Sequence, residues 1–81
     1  MDRQSATTIY NYIVEQVGER YFDVLYDNGL HYGMGITVAI AEAMLLHFEK
    51  NENYDRCIDI AASIKEAEDI GGKYVFLYEE Y

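Results

Sequence analysis

What this chain lacks restricts it more than what it has. It contains no proline, no tryptophan and one cysteine, and only six Lys and Arg stand against fifteen Asp and Glu. The lone cysteine, Cys57, excludes an intramolecular disulfide, which points to a reducing compartment, the cytoplasm, or the host cytoplasm for a viral protein. No apolar run approaches the roughly 20 residues of a membrane span, and Met1-Asp2-Arg3-Gln4-Ser5 lacks the basic start and apolar stretch of a signal peptide, so no membrane partner is expected. Scarce cations argue against direct nucleic-acid binding. Affinity for phosphates comes from Lys and Arg that release counterions, and Arg3, Arg20, Lys50, Arg56, Lys65 and Lys73 are scattered. No repeat, low-complexity stretch or linker divides the 81 residues, so 1–81 reads as a single domain with one core.

That core draws on 51% hydrophobic residues, including nine Tyr and three Phe. A tyrosine ring keeps its hydroxyl wet or hydrogen-bonded, which places many of these rings at the boundary between core and water. The formal charge of −9 exceeds the magnitude of about 2 to 8 that solubility asks of a small domain. Such a charge steers a protein towards basic surfaces, including those whose ordinary ligand is DNA or RNA.

From Thr8 to Asn28 the residues Ile9, Tyr10, Ile13, Val14, Val17, Tyr21, Val24 and Leu25 recur at helical steps, with Glu15, Gln16, Glu19, Asp23 and Asp27 opposite. Ser5 or Thr7 supplies the cap, Gly18 marks a kink or a break into two helices, and Asn28-Gly29-Leu30 fits a helix stop. The same Asn-Gly is also a hairpin signal between Tyr21–Tyr26 and Leu30–Ile36, where Phe22, Val24 and Tyr26 alternate. The helix is preferred because Asp23 and Asp27 lie one turn apart opposite the stripe. Thr37 to Lys50 reads as a helix, beginning as early as His31, with Val38, Ala41, Leu45 and Phe48 on one face. After a polar turn, Asn53 is the expected cap of a last helix whose stripe is Tyr54, Cys57, Ile58, Ala61, Ile64 and Ala67, with Arg56, Asp59, Ser63, Glu66 and Asp69 facing out. Gly71-Gly72 stops it, and Lys73 to Tyr81 alternates as a strand does. The expected fold is therefore mainly α, a bundle of three to four helices with a short C-terminal extended segment. The alternative is α+β, with a 21–36 hairpin and the C-terminal strand in a three-stranded sheet.

Little in the sequence supports catalysis. His31, His47 and Cys57 have no metal-binding spacing, so no metal and no cofactor is expected; His47 reads as a boundary histidine at a helix C-terminus and Cys57 as a small buried residue facing the preceding helix. The two serines, Ser5 and Ser63, fall near the terminus and on an exposed face, away from any base. The glycines at 29, 33 and 35 precede a helix, but without the lysine and spacing of a phosphate loop.

Residues 29–62, with Tyr32, Leu45, Phe48-Glu49, Glu52, Tyr54 and Cys57, resemble small helical-hairpin proteins of phage and mobile-element type, in which a helix ending Phe-Glu is followed by Glu-x-Tyr-x-x-Cys. Asp55 stands where such proteins often carry Glu. The resemblance implies a helical hairpin and a small accessory protein of a virus or mobile element.

Together these observations lead to a non-enzymatic protein-binding domain, an inhibitor or anti-defence factor that occupies a basic, nucleic-acid-binding surface of its target. The residues expected to bind are Glu15, Glu19, Asp23 and Asp27 in one row, Asp55, Asp59, Glu66 and Asp69 on the last helix, and the aromatic tail Tyr74, Phe76 and Tyr78. The alternatives are a homo-oligomeric assembly subunit using its Tyr-rich surface and a small-ligand sequestering protein using the glycine-rich segment.

Overall fold

A computed structural model describes residues 3–77. Helices α1 (Arg3–Val17), α2 (Arg20–Tyr32), α3 (Val38–Lys50) and α4 (Tyr54–Asp69) form a small bundle, with strand β1 (Gly35–Thr37) leading into α3 and strand β2 (Tyr74–Phe76) following α4. The mainly helical expectation with a C-terminal extended segment describes this architecture. None of the helices among the described residues is long and apolar enough to cross a membrane.

Gly18 separates α1 from α2. Its φ of 92° is a conformation glycine takes freely, and its N–H still reaches the Ile13 and Val14 carbonyls at 3.2 and 3.1 Å. The break resets the helical phase. Tyr10 and Ile13 are buried on α1, but on α2 the inward residues are Phe22, Tyr26 and Gly29, while Val17, Tyr21 and Val24 are exposed. The continuous stripe expected across this region therefore does not exist, and Ser5 and Thr7 lie inside α1 rather than at its cap.

Asn28-Gly29 does not stop α2. The helix runs on to Gly33, whose left-handed φ of 64° lets its N–H bond the Gly29 carbonyl at 3.1 Å. Residues 21–32 are thus helical, which replaces the hairpin and the three-stranded sheet. Gly29 serves close approach instead: a Cβ there would lie 3.0 Å from Leu77 Cδ1 and 3.3 Å from Ile36 Cδ1. Strand β1 pairs antiparallel with β2 in the register Gly35↔Phe76, Ile36↔Val75, Thr37↔Tyr74. Ile36 and Val75 enter the core and Tyr74 and Phe76 face outward. Opposite Gly35 the Phe76 ring fills the space of the missing side chain, since a Cβ would meet Phe76 Cε1 at 3.1 Å.

Thr37 caps α3 by accepting the Ile40 N–H at 3.3 Å, so the helix does not reach back to His31. Helix α3 packs between α1 and α4. Its buried set, Ala41, Ala43, Met44, His47 and Phe48, is wider than the one-sided stripe expected, and Val38 and Leu45 are only half-buried. Asn53 occupies the cap position of α4 but makes no side-chain cap bond. The inward face of α4 is Ile60, Ser63, Ile64 and Ala67, whereas Tyr54, Ile58 and Ala61 are exposed. Apolar residues surround this helix, so its own periodicity does not choose a face; packing against α3 and β2 does. Gly71, with φ of 69°, ends α4 as expected, and Gly72 N–H closes on the Ala67 carbonyl at 2.8 Å.

Candidate functional site

Burial of the Phe22/Tyr26 side of α2 turns Asp23 and Asp27 towards α4. There Arg56, from the first turn of α4, donates from Nη1 to Asp23 Oδ1 at 3.0 Å and brings Nη2 to 3.8 Å from Asp27 Oδ1. The guanidinium lies over the Tyr26 ring at 4.5 Å and the Phe48 ring at 5.1 Å, so cation–π attraction holds its other faces. One turn along α4, Tyr26 Oη donates to Asp59 Oδ2 at 3.0 Å. Arg56 and Asp59, expected to face solvent, instead tie α4 to α2, and Ser63, placed by the sequence on the exposed face, is buried.

Asp55, Asp59, Glu66 and Asp69 follow one another at steps of four, seven and three residues along α4. At 3.6 residues per turn they share an arc of about 80°, extending along about 21 Å of helix. Because Arg56 and Tyr26 bind α2 to this helix, Asp23 and Asp27 join the same side of the molecule. Arg56 thus sits between Asp23 and Asp27, Tyr26 holds Asp59, and Asp55, Glu66 and Asp69 extend the acidic row along α4. Lys65 and Ile58 border the arc on its other flank.

The first expected row does not survive as a unit. Glu15 is on the exposed side of α1, across the break at Gly18 from α2, and Glu19, in the loop between the helices, accepts a hydrogen bond from Tyr10 Oη at 3.1 Å. Tyr74 and Phe76 are both more than half exposed on β2; Tyr78 lies outside the described residues.

His47 is no boundary residue. It is 5% exposed, stacked on Phe22 with ring centroids 4.9 Å apart, edge-on to Phe48 at 4.9 Å and 6.5 Å from Tyr10. Its Nε2 is 3.9 Å from Asp23 Oδ2, and Asn51 Nδ2 lies 3.4 Å from its Nδ1 while donating to its carbonyl at 2.8 Å. The ring forms the base of a cleft of about 310 Å³ lined also by Glu19, Arg20, Asp23, Asn51 and Asn53. Cys57 is half-buried rather than buried, but its Sγ donates to the Leu45 carbonyl at 3.9 Å and so faces the preceding helix as expected; burial followed by the charge of Glu49 raises its thiol above the ordinary value. Among the described residues no three His, Cys, Asp or Glu side chains gather as metal ligands.

Periodicity does not register Arg56 and Tyr26 as members of the site, because each partner lies 33 residues away in the chain. Comparison with protein families, curated proteins and solved structures yields no match to this chain.

Proposed function

We propose that this chain is a small non-enzymatic binding domain that presents the α2–α4 acidic face to a basic surface of another protein, one that otherwise holds nucleic acid. In this reading it acts as an inhibitory accessory protein of viral or mobile-element type. The observation that carries the reading is the convergence of Asp23, Asp27, Asp55, Asp59, Glu66 and Asp69 on one side, with Arg56 and Tyr26 fixing three of them in place. Carboxylates already ordered lose little freedom on binding, and an extended row of them matches the charge of a groove built for phosphates.

The test is binding to a panel of nucleic-acid enzymes at rising salt, with DNA or RNA as competitor. Affinity is expected to fall steeply with ionic strength, and nucleic acid to displace the protein. The combined variant Asp55→Asn, Asp59→Asn, Glu66→Gln, Asp69→Asn is expected to bind at least about fourfold more weakly, at roughly 0.2–1 kcal/mol per charge. Binding indifferent to salt and to these substitutions overturns the proposal.

A second reading, self-assembly through the aromatic strand, is favoured by the exposure of Ile70, Tyr74 and Phe76, at 79%, 54% and 57%. Light scattering over a wide concentration range tests it, and a strict monomer disposes of it.

A further inference from the structure

We propose that the groove between the last turns of α4 and the outer face of β2 receives one apolar side chain of a basic protein partner. Lys and Arg flanking that side chain would meet the carboxylates of α4. The inference rests on the acidic-face reading and adds the anchor that a charged face lacks.

The groove arises from small residues. Ser63 and Ala67, one helical turn apart, form its floor and are 3% and 5% exposed; Ile70, Tyr74 and Phe76 make its walls and Glu66 its rim. On the neighbouring strand, the residues that pair with Tyr74 and Phe76 are Thr37 and Gly35, too small to cover either ring. The space is about 130 Å³, close to the roughly 150 Å³ cavity that takes up benzene, so it suits a single leucine-sized or aromatic side chain. Two aromatic rings and Ile70 around a small buried floor have the composition of a binding hot spot.

Charge selects the occupant. Glu66 lines the groove and Asp69 follows it within one turn of α4 on the acidic arc, while Lys73 is the one cation in the stretch 66–76. A second copy of a chain of charge −9 would bring these carboxylates against their like, whereas a basic partner converts the same field into attraction. Asp55 and Asp59 continue the acidic arc away from the groove, so an apolar anchor at Ile70–Phe76 and a basic surface along α4 can be engaged together.

The probes are short Lys/Arg-rich peptides with a central Leu, Phe or Ala, titrated into the isotopically labelled full chain and followed by amide NMR and fluorescence anisotropy. The Leu and Phe peptides are expected to bind about tenfold or more tightly than the Ala peptide, with shifts concentrated at residues 63–76. In Tyr74→Ala and Phe76→Ala, exposed positions whose amide dispersion checks the fold, that preference should vanish. In Asp55→Asn, Asp69→Asn all three peptides should weaken while the preference persists. Equal, salt-sensitive binding of the Leu, Phe and Ala peptides overturns the anchor and leaves the acidic face standing. So does failure of every peptide while basic proteins still bind in a salt-dependent manner. Loss of the salt dependence itself defeats the acidic face on which the inference rests. Self-association that Phe76→Ala abolishes also overturns the proposal, by making a second copy the occupant.

Discussion

Arg56 shows how an acidic protein spends a scarce cation. Exposed ion pairs are worth about 0–1 kcal/mol, and the Asp23 and Asp27 side chains are 51% and 58% exposed, so solvent screens most of their attraction to the guanidinium. More of its contribution comes from stacking on Tyr26 and Phe48 and from relieving repulsion between carboxylates that would otherwise face each other. Arg56→Met, which retains much of the apolar stem, is expected to destabilise the fold by about 1 kcal/mol in urea denaturation, with the difference narrowing at high salt. Arg56→Lys should fall between the two, because an ammonium keeps the charge but neither the fork nor the flat stacking surface. A midpoint for Arg56→Met equal to that of the unaltered chain would contradict this assignment.

Glycines set the lengths of the elements, through two different physical demands. Gly33 holds a φ of 64°, which places the last turn of α2 and the start of β1; Gly72 has ordinary backbone, and a Cβ on it would meet only normal contacts from 3.6 Å outward. Gly33→Ala is therefore expected to cost about 1–2 kcal/mol, Gly33→Asn to recover much of that because asparagine visits the left-handed region, and Gly72→Ala to change little. Denaturant midpoints for the three variants check the order. The sequence offers helix-stopping chemistry at Gly29, Gly33 and Gly35 alike, and local rules favour Asn28-Gly29. The choice is made by Leu77 and Ile36, which need the bare Gly29 backbone for close approach. This is why the end of α2 was not legible, while the start of α3 at Thr37 and the end of α4 at Gly71, both decided locally, were. The buried face of α2 was hidden for a related reason: the turn at Gly18 resets its phase, and a stripe extrapolated from α1 selects Tyr21 and Val24 in place of Phe22 and Tyr26. Of the candidate site, the α4 arc could be read because it repeats at helical spacing. Its union with Asp23 and Asp27 could not, because that depends on a bond between residues 33 positions apart.

At the scale of the whole molecule, the packing of α3 against its neighbours is coupled to protonation at two points. Tyr10, on α1, has its phenol raised above the ordinary 10.0 by burial, then by the hydrogen bond it donates to Glu19 and by that carboxylate's charge. Cys57, on α4, has its thiol raised above 9.0 by burial, then by Glu49. In each case the neutral form is the acid, and the folded state holds its proton more tightly than the unfolded chain does. Between the unfolded and folded values the folded protein therefore binds more protons, and stability falls as pH rises. The contribution of each group is fully present below its ordinary value and is lost as pH climbs through its raised value. Their combined effect on melting temperature should be absent up to about pH 8 and destabilising above about pH 9–10, first through Cys57 and then through Tyr10. The variant Tyr10→Phe, Cys57→Ser removes both protons from the balance. Its melting temperature should start lower at neutral pH, because Phe cannot bond Glu19, yet decline less steeply on the alkaline side. Thiol alkylation provides an independent reading of the first step: in the native protein Cys57 should react slowly near pH 7.5 and accelerate only above pH 9, where the thiolate forms. If the two melting curves run parallel through the alkaline range, burial of these groups is not what couples the bundle to pH.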